Sequence, residues 1–158
     1  MPDQGGKPRV AIGSDHAGFR IKEVIREYLV KAGYPVDDLG TSSEESVDYP
    51  DFGRAVGEGV AGGKDRFGVA VCGTGIGISI AANKVRGIRA AVAHDVTTAK
   101  LAREHNDANV LALGGRVVDE GLAVEMVDAF LKTPFAGGRH ARRVEKISAI
   151  ERGARPEG

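Results

Sequence analysis

Apolar residues recur along the chain in short blocks that switch between two periods. Val10, Ala11 and Ile12 form a continuous apolar run after Arg9, which predicts a short buried strand over 9–12. Beyond the turn Gly13-Ser-Asp-His-Ala-Gly18 the period changes. Ile21, Val24, Ile25, Tyr28 and Leu29 fall on one helical face, and Gly33 supplies a left-handed C-terminal cap. The same alternation continues with a strand over 35–39, a polar loop over 40–49 and a helix over 50–62. A strand over 67–71, the loop Cys72–Gly77 and a helix over 78–84 come next. The series closes with a strand over 88–93, a helix over 97–104, a strand over 110–113 and helices over 122–131 and 139–151. Strands alternating with helices predict an α/β fold with a parallel sheet covered on both faces. No internal repeat or linker divides it, so one domain is expected over 9–151, with a flexible leader over 1–8 and a flexible tail over 152–158. Gly53, Gly57 and Gly59 each cost a helix interior about 1 kcal/mol relative to alanine, so close packing is expected to compensate.

Composition narrows the partners. The 158 residues carry 22 basic and 22 acidic side chains, and a chain with no net charge lacks the basic excess of a backbone-reading nucleic-acid binder. No nucleic-acid partner is expected. An apolar fraction of 42% excludes a disordered chain. The longest uncharged stretch, 67–83, falls short of the roughly 20 apolar residues of a membrane span. The polar start has no apolar core for secretion, and the single cysteine, Cys72, forms no intrachain disulfide, so a cytoplasmic protein without a membrane partner is expected. The 23 glycines amount to about twice the usual ~7% and point to close backbone approach. Charge is segregated toward the end. Arg139, Arg142, Arg143, Lys146, Arg152 and Arg155 outnumber Glu145 and Glu151, which leaves the rest of the chain acidic.

In open α/β sheets ligands bind beyond the carboxyl ends of the strands, and the loops there are polar: Asp15 and His16, Cys72–Gly77, His94 and Asp95, and Arg116. Asp15 suits either a helix cap or proton chemistry. Gly73-Thr-Gly-Ile-Gly77 offers unhindered backbone N–H groups at a helix start, a setting for an anion or a developing oxyanion, or simply a tight packing turn. It is neither a dinucleotide fingerprint, since position 78 is Ile, nor a Walker loop. Cys72 is open to two readings, a buried small hydrophobe or, at the mouth of that loop, a base or nucleophile. Cys-x5-Arg and Cys-x-x-Cys chemistries are excluded by the flanking residues. His105, followed by Asn106 and Asp107, ends a helix and suits either the helix dipole or proton transfer. Arg139 and Arg143 lie four apart on the stripe continued by Ile147 and Ile150, so they are expected to face inward onto a buried anion. With Arg116 and His16 they would match one phosphate monoester. The four histidines, His16, His94, His105 and His140, show no ligand spacing, and no metal is expected.

Five segments together resemble one family, the type B ribose-5-phosphate isomerases, grouped with the galactose-6-phosphate isomerase subunits. They are Gly-Ser-Asp-His-Ala-Gly at 13–18, Asp-Tyr-Pro-Asp at 48–51, Cys-Gly-Thr-Gly-Ile-Gly-Ile-Ser-Ile-Ala-Ala-Asn-Lys at 72–84, Arg-Glu-His-Asn-Asp-Ala-Asn-Val-Leu at 103–111 and Gly-Gly-Arg-His-Ala-Arg-Arg at 137–143. The resemblance runs from about Val10 to Ile150. It implies a Rossmann-like three-layer sandwich with a five-stranded parallel sheet. It further implies a homodimer, or a tetramer built from it, whose C-terminal helix reaches the partner subunit and whose sites are shared.

By the same resemblance Cys72 is the base that moves a proton between C1 and C2 of ribose 5-phosphate through an enediolate, and Thr74 assists the opening of the furanose ring. The amides of Gly73, Thr74, Gly75, Ile76 and Gly77 hold the oxyanion. His105 and Asp15 open the furanose ring, Asn106 and Tyr49 orient the sugar, and His16, Arg116, and Arg139 and Arg143 of the neighbouring subunit hold the phosphate. No cofactor is implied. One branch of the family uses a glutamate further along the loop in place of the cysteine; here that position is Ile78, which places the chain in the cysteine branch. Three other readings stay open on the residues alone: an isomerase of a hexose 6-phosphate or free aldose, a thiol hydrolase using Cys72 and His105, and a sugar-phosphate sensor without chemistry.

Overall fold

The computed structural model describes residues 6–153, so most of the expected leader and tail lies outside the described residues. Five parallel strands form one sheet: β1 (Val10–Ser14), β2 (Val36–Asp38), β3 (Phe67–Cys72), β4 (Ala90–Val92) and β5 (Val110–Gly114), in the order β2-β1-β3-β5-β4. The three inner strands are buried along their whole length, which is why their sequences read as unbroken apolar runs. Val10 lies opposite Val36 and Phe67, and Cys72 lies opposite Gly114, so β1, β3 and β5 end together at one edge. The chain reverses its direction of travel between β1 and β3. A crevice opens at such a reversal, beyond the strand ends.

Five helices cover the sheet, α1 (Phe19–Lys31), α2 (Tyr49–Ala61), α3 (Ile76–Asn83), α4 (Val96–Asn106) and α5 (Glu120–Lys132), and a sixth, α6 (Arg139–Glu151), lies outside them, with a 3₁₀ turn over His16–Gly18. Side chains alternate across the strands. Ile12, Val69, Val71, Leu111 and Leu113 pack with α1, α4 and α5, whereas Ala11, Ala70, Cys72 and Ala112 pack with α2 and α3. The second layer is thin because its sheet residues are small and α2 and α3 press together. A Cβ on Gly53 would stand 2.7 Å from the Ile78 carbonyl oxygen, and one on Gly57 would stand 2.9 Å from Val85 Cγ2. Close packing therefore compensates those glycines as expected.

Several boundaries differ from the pattern, and those of α3, β4 and α4 bear on the site. The helix expected over 78–84 starts at Ile76, because Gly75 adopts φ 80 and turns the chain into the helix earlier. Strand β4 shrinks to three residues, and α4 runs on to Asn106, which puts His105 and Asn106 in its last turn. The edge strand β4 is closed by a side chain. Asn83 donates to the Ala90 carbonyl at 2.9 Å and accepts from the Ala90 amide at 2.8 Å, occupying the groups that point away from β5.

Helix α6 corrects one expectation. None of its residues is buried; Arg139 and Arg143 are exposed, and Ile147 and Ile150 are 46% and 71% exposed. The helix rests on the flank of α4 and is tied at its end by the Gly87 amide, which donates to Glu151 at 2.9 Å, while Ile147 and Ile150 line an open cavity beside Ile88 and Ala90. Among the described residues no helix is long and apolar enough to cross a membrane.

At the opposite edge of the sheet from the crevice, Asp65 has a side chain 0% exposed and its nearest cation, Arg9, at 3.4 Å. Burial and the neighbouring Asp37 carboxyl raise its pKa to about 6. Asp37 moves the other way: burial opposes ionisation there, but hydrogen bonds from Asp65 and Lys64 outweigh it. Asp65 gains proton affinity on folding, so its stabilising contribution is complete below the ordinary carboxyl range and is lost as pH rises through about 6. Asp65→Asn is expected to remove that slope. Melting curves between pH 4.5 and 7.5 should show wild type losing several degrees relative to the variant across about pH 4–6, then a constant gap. Parallel curves throughout would reject the shared-proton pair.

Candidate active site

Four segments converge on the crevice at the carboxyl ends of β1, β3 and β5. Asp15 closes the 3₁₀ turn by accepting from Gly18 N–H at 3.0 Å and is 6% exposed, so the capping reading holds and still leaves a carboxylate beneath the crevice. His16 follows it. His16 Nδ1 lies 3.1 Å from the Val47 amide nitrogen and 3.2 Å from the Val47 carbonyl oxygen, so that ring nitrogen is engaged by the loop and Nε2 is the one left for a ligand. Tyr49, the first residue of α2, lays its ring over Gly77, where a Cβ would come within 2.6 Å of Cζ; only glycine admits the ring there.

Cys72 ends β3, 4% exposed, and its sulfur accepts the Gly75 N–H at 3.2 Å. It is therefore both buried and placed at the mouth of the glycine loop. The Gly75 N–H and the amino end of α3 thus face the sulfur. The rest of the loop is held tightly. Thr74 Oγ1 accepts from Ile76 N–H at 3.2 Å, and the Gly115 and Arg116 amides donate to the Cys72 and Gly73 carbonyls at 2.7 and 3.0 Å. A Cβ on Gly73 would sit 3.3 Å from Arg116 Nη1, so that guanidinium lies beside the loop.

The other expected residues lie elsewhere. His105 and Asn106 share a cavity of about 290 Å³ with Arg139, His140, Arg143, Val144 and Ile147. The rings of His105 and His140 stack at 4.3 Å with 13° between their planes. Burial, then the neighbouring His105, Arg139 and Arg143, hold His140 below the ordinary histidine pKa. This cluster lies at the amino ends of the strands. Helix α4 begins just after β4 and runs back along the sheet, so its last turn meets the start of β5. Arg103 of that helix packs on Phe67, the first residue of β3, while Cys72 is the last. The four steps along β5 from Val110 to Gly114 span about 13 Å at the usual rise. Within one chain His105, Asn106, Arg139 and Arg143 cannot reach Cys72. The structure thus groups His105 and Asn106 with Arg139 and Arg143 and separates all four from Cys72.

The family model described as Ribose/Galactose Isomerase matches residues 10–147. The chain belongs to this ribose/galactose isomerase family. It is 52% identical over 143 residues to ribose-5-phosphate isomerase B of Escherichia coli, covering 90% of this chain and 96% of that one. A solved ribose-5-phosphate isomerase B of Clostridium thermocellum superposes with a TM-score of 0.91 at 56% identity, covering 92% of this chain and 98% of the other. The Mycoplasma genitalium ribose-5-phosphate isomerase B, solved with bound ribulose-5-phosphate, gives a TM-score of 0.88 at 42% identity, with 92% and 97% covered. This member of the ribose/galactose isomerase family is an isomerase with the family's α/β Rossmann-like sheet.

In this isomerase several residues of the two clusters escape a reading by motif. His140 carries no ligand spacing, and only its place one turn from Arg143 on the charged helix marks it. Gly18 and Gly115 are pressed against the loops' backbones; a Cβ on Gly18 would stand 2.5 Å from the Val71 oxygen and one on Gly115 2.7 Å from the Ala17 oxygen. Their signal is the glycine excess itself. Among the described residues no group of three or more His, Cys, Asp or Glu is placed to hold a metal ion.

Proposed function

We propose that the protein interconverts ribose 5-phosphate and ribulose 5-phosphate as a homodimer, each site joining the Cys72 crevice of one copy to the His105 cavity of the other. The observation that carries the reading is Cys72 itself, its sulfur under the Gly75 N–H at the reversal point of the sheet. The relatives named above carry ribose-5-phosphate isomerase names across nearly their whole length, which supports the substrate. The split of the site supports the dimer, as do the exposed Ile76, Ile80, Ile147 and Ile150, which in a lone chain face water.

The chemistry follows from what each group can do. A proton next to a carbonyl is weakly acidic, so its transfer needs a base at the carbon and donors where negative charge develops. His105 of the second copy and Asp15 open the furanose, one taking the proton from the anomeric hydroxyl and the other giving one to the ring oxygen. The Cys72 thiolate then removes the C2 proton of the open aldose. Charge moves onto the carbonyl oxygen O1, faced by the amides of the Gly73–Gly77 loop with Thr74 beside them; the C2 hydroxyl proton passes to O1, leaving the charge on O2, and Cys72 returns its proton to C1 as the C2 carbonyl forms. Tyr49 and Asn106 orient the sugar chain. The phosphate takes His16 and Arg116 from one copy and Arg139 and Arg143 from the other, a set whose guanidinium forks match its oxygens.

Proton NMR of ribose 5-phosphate with the protein in deuterated buffer tests this. Ribulose 5-phosphate should appear with deuterium at the carbon next to the carbonyl. Absence of both from folded protein with reduced Cys72 overturns the reading. Faster turnover of a hexose 6-phosphate in the same assay would move the substrate to the family's other sugar class.

A further inference from the structure

We propose that Asp107 is a positioning residue, its carboxylate tied between Arg103 and Arg89 so that the corner carrying His105 and Asn106 is held in place. The inference rests on the ring-opening role proposed for His105.

Asp107 has φ 46 and is the one non-glycine residue with positive φ among the described residues. A left-handed corner after a helix normally favours glycine or asparagine, and aspartate gains nothing there from backbone geometry. It gains through its side chain. Oδ1 accepts from Arg103 Nη1 at 2.8 Å, and Oδ2 lies 3.3 Å from Arg89 Nη2. Arg103 is an anchor in the core, 3% exposed, bonded to the carbonyls of Ala108 and Thr133 and set over the rings of Phe67 and Phe130. Arg89 grips the corner from the start of β4, donating from Nε to the Asn106 carbonyl at 3.1 Å and from Nη2 to the Asp107 carbonyl at 2.8 Å. The carboxylate thus links a core cation and an edge cation across the two residues that precede it. The stack of His105 on His140 depends on that corner, since α6 rests on the same helix and buries nothing itself.

The test separates positioning from mere stability. Ribose 5-phosphate is largely ring-closed, whereas ribulose 5-phosphate stays open because its C5 oxygen carries the phosphate. Asp107→Asn retains tolerance for the left-handed conformation but cannot accept from both arginines. Arg89→Met leaves the buried Arg103–Asp107 pair intact, its side chain being 24% exposed, and serves if the first variant melts below assay temperature. For either variant, net conversion of ribose 5-phosphate should fall by about 10–100-fold, the scale of an ångström-level misplacement. Exchange of a C1 proton of ribulose 5-phosphate with deuterated solvent should fall less than about threefold, since it needs Cys72 and no ring opening. His105→Ala should show the same split. Equal losses in both assays, or no loss in either, overturn the positioning role. If wild type performs neither reaction, the proposed function itself has failed, a result independent of these variants.

Discussion

Alanine at position 72 is expected to lower ribose 5-phosphate conversion by about 10⁴-fold, the upper range for loss of a positioned base, and to abolish solvent exchange at C1 of ribulose 5-phosphate to the same degree. Both losses follow from one fact. The sulfur is the group beneath the loop amides that can take a proton from carbon, and Ile78 offers no carboxylate to replace it. Folding should be nearly unaffected, because Cys72 lies on the small-residue face of the sheet beside Ala70 and Ala112, where alanine is already the prevailing side chain. The check is a melting curve alongside the two NMR assays. Turnover near wild type in a folded Cys72→Ala protein would remove the thiol from the mechanism.

The second large effect is a recovery. Cys72→Ala and His105→Ala chains should each be almost inactive alone, yet mixing them with subunit exchange should restore about a quarter of wild-type activity. A random two-fold pairing makes half the dimers mixed, and each mixed dimer carries one intact site of two. The geometry demands this pattern: His105 sits at the amino end of β5 and Cys72 at the carboxyl end of β3, so an intact pair arises only between copies. Arg143→Ala should complement Cys72→Ala in the same way, and should fail to complement His105→Ala, because those two residues belong to one cluster. Lack of recovery, with exchange verified by mass, would mean that both groups act within one chain.

Much of this was legible in the residues. The runs at 10–12, 67–71 and 110–113 are apolar throughout because their strands are buried on both faces, and Gly33 marks the end of α1 with φ 89. The strand order is a different matter. Nothing local distinguishes β2-β1-β3-β5-β4 from its permutations, since each strand's pattern reports burial and not the identity of its neighbours. The location of His105 was available from topology alone: in parallel βαβ units a helix ends where the next strand begins, so a histidine in a helix's last turn lies opposite the strand-end loops. The inward expectation for Arg139 and Arg143 failed because a helical stripe reports that one face is apolar and not that the same chain buries it. The Asp107 clamp had no sequence signature, as its meaning comes from Arg89 and Arg103 meeting it from separate elements.

The seal that Asn83 places on Ala90 has a consequence for how molecules of this protein meet. Open strand edges invite other chains to pair with them and are a common start of fibres. Here both border strands are three residues long, and the outward amide and carbonyl at the beginning of β4 are already bonded. A newcomer finds no backbone ladder to extend. Self-recognition is left to side chains on the helices, where shape and charge discriminate between a proper mate and a stranger, and concentrated solutions are protected from the indiscriminate stacking that bare strands promote.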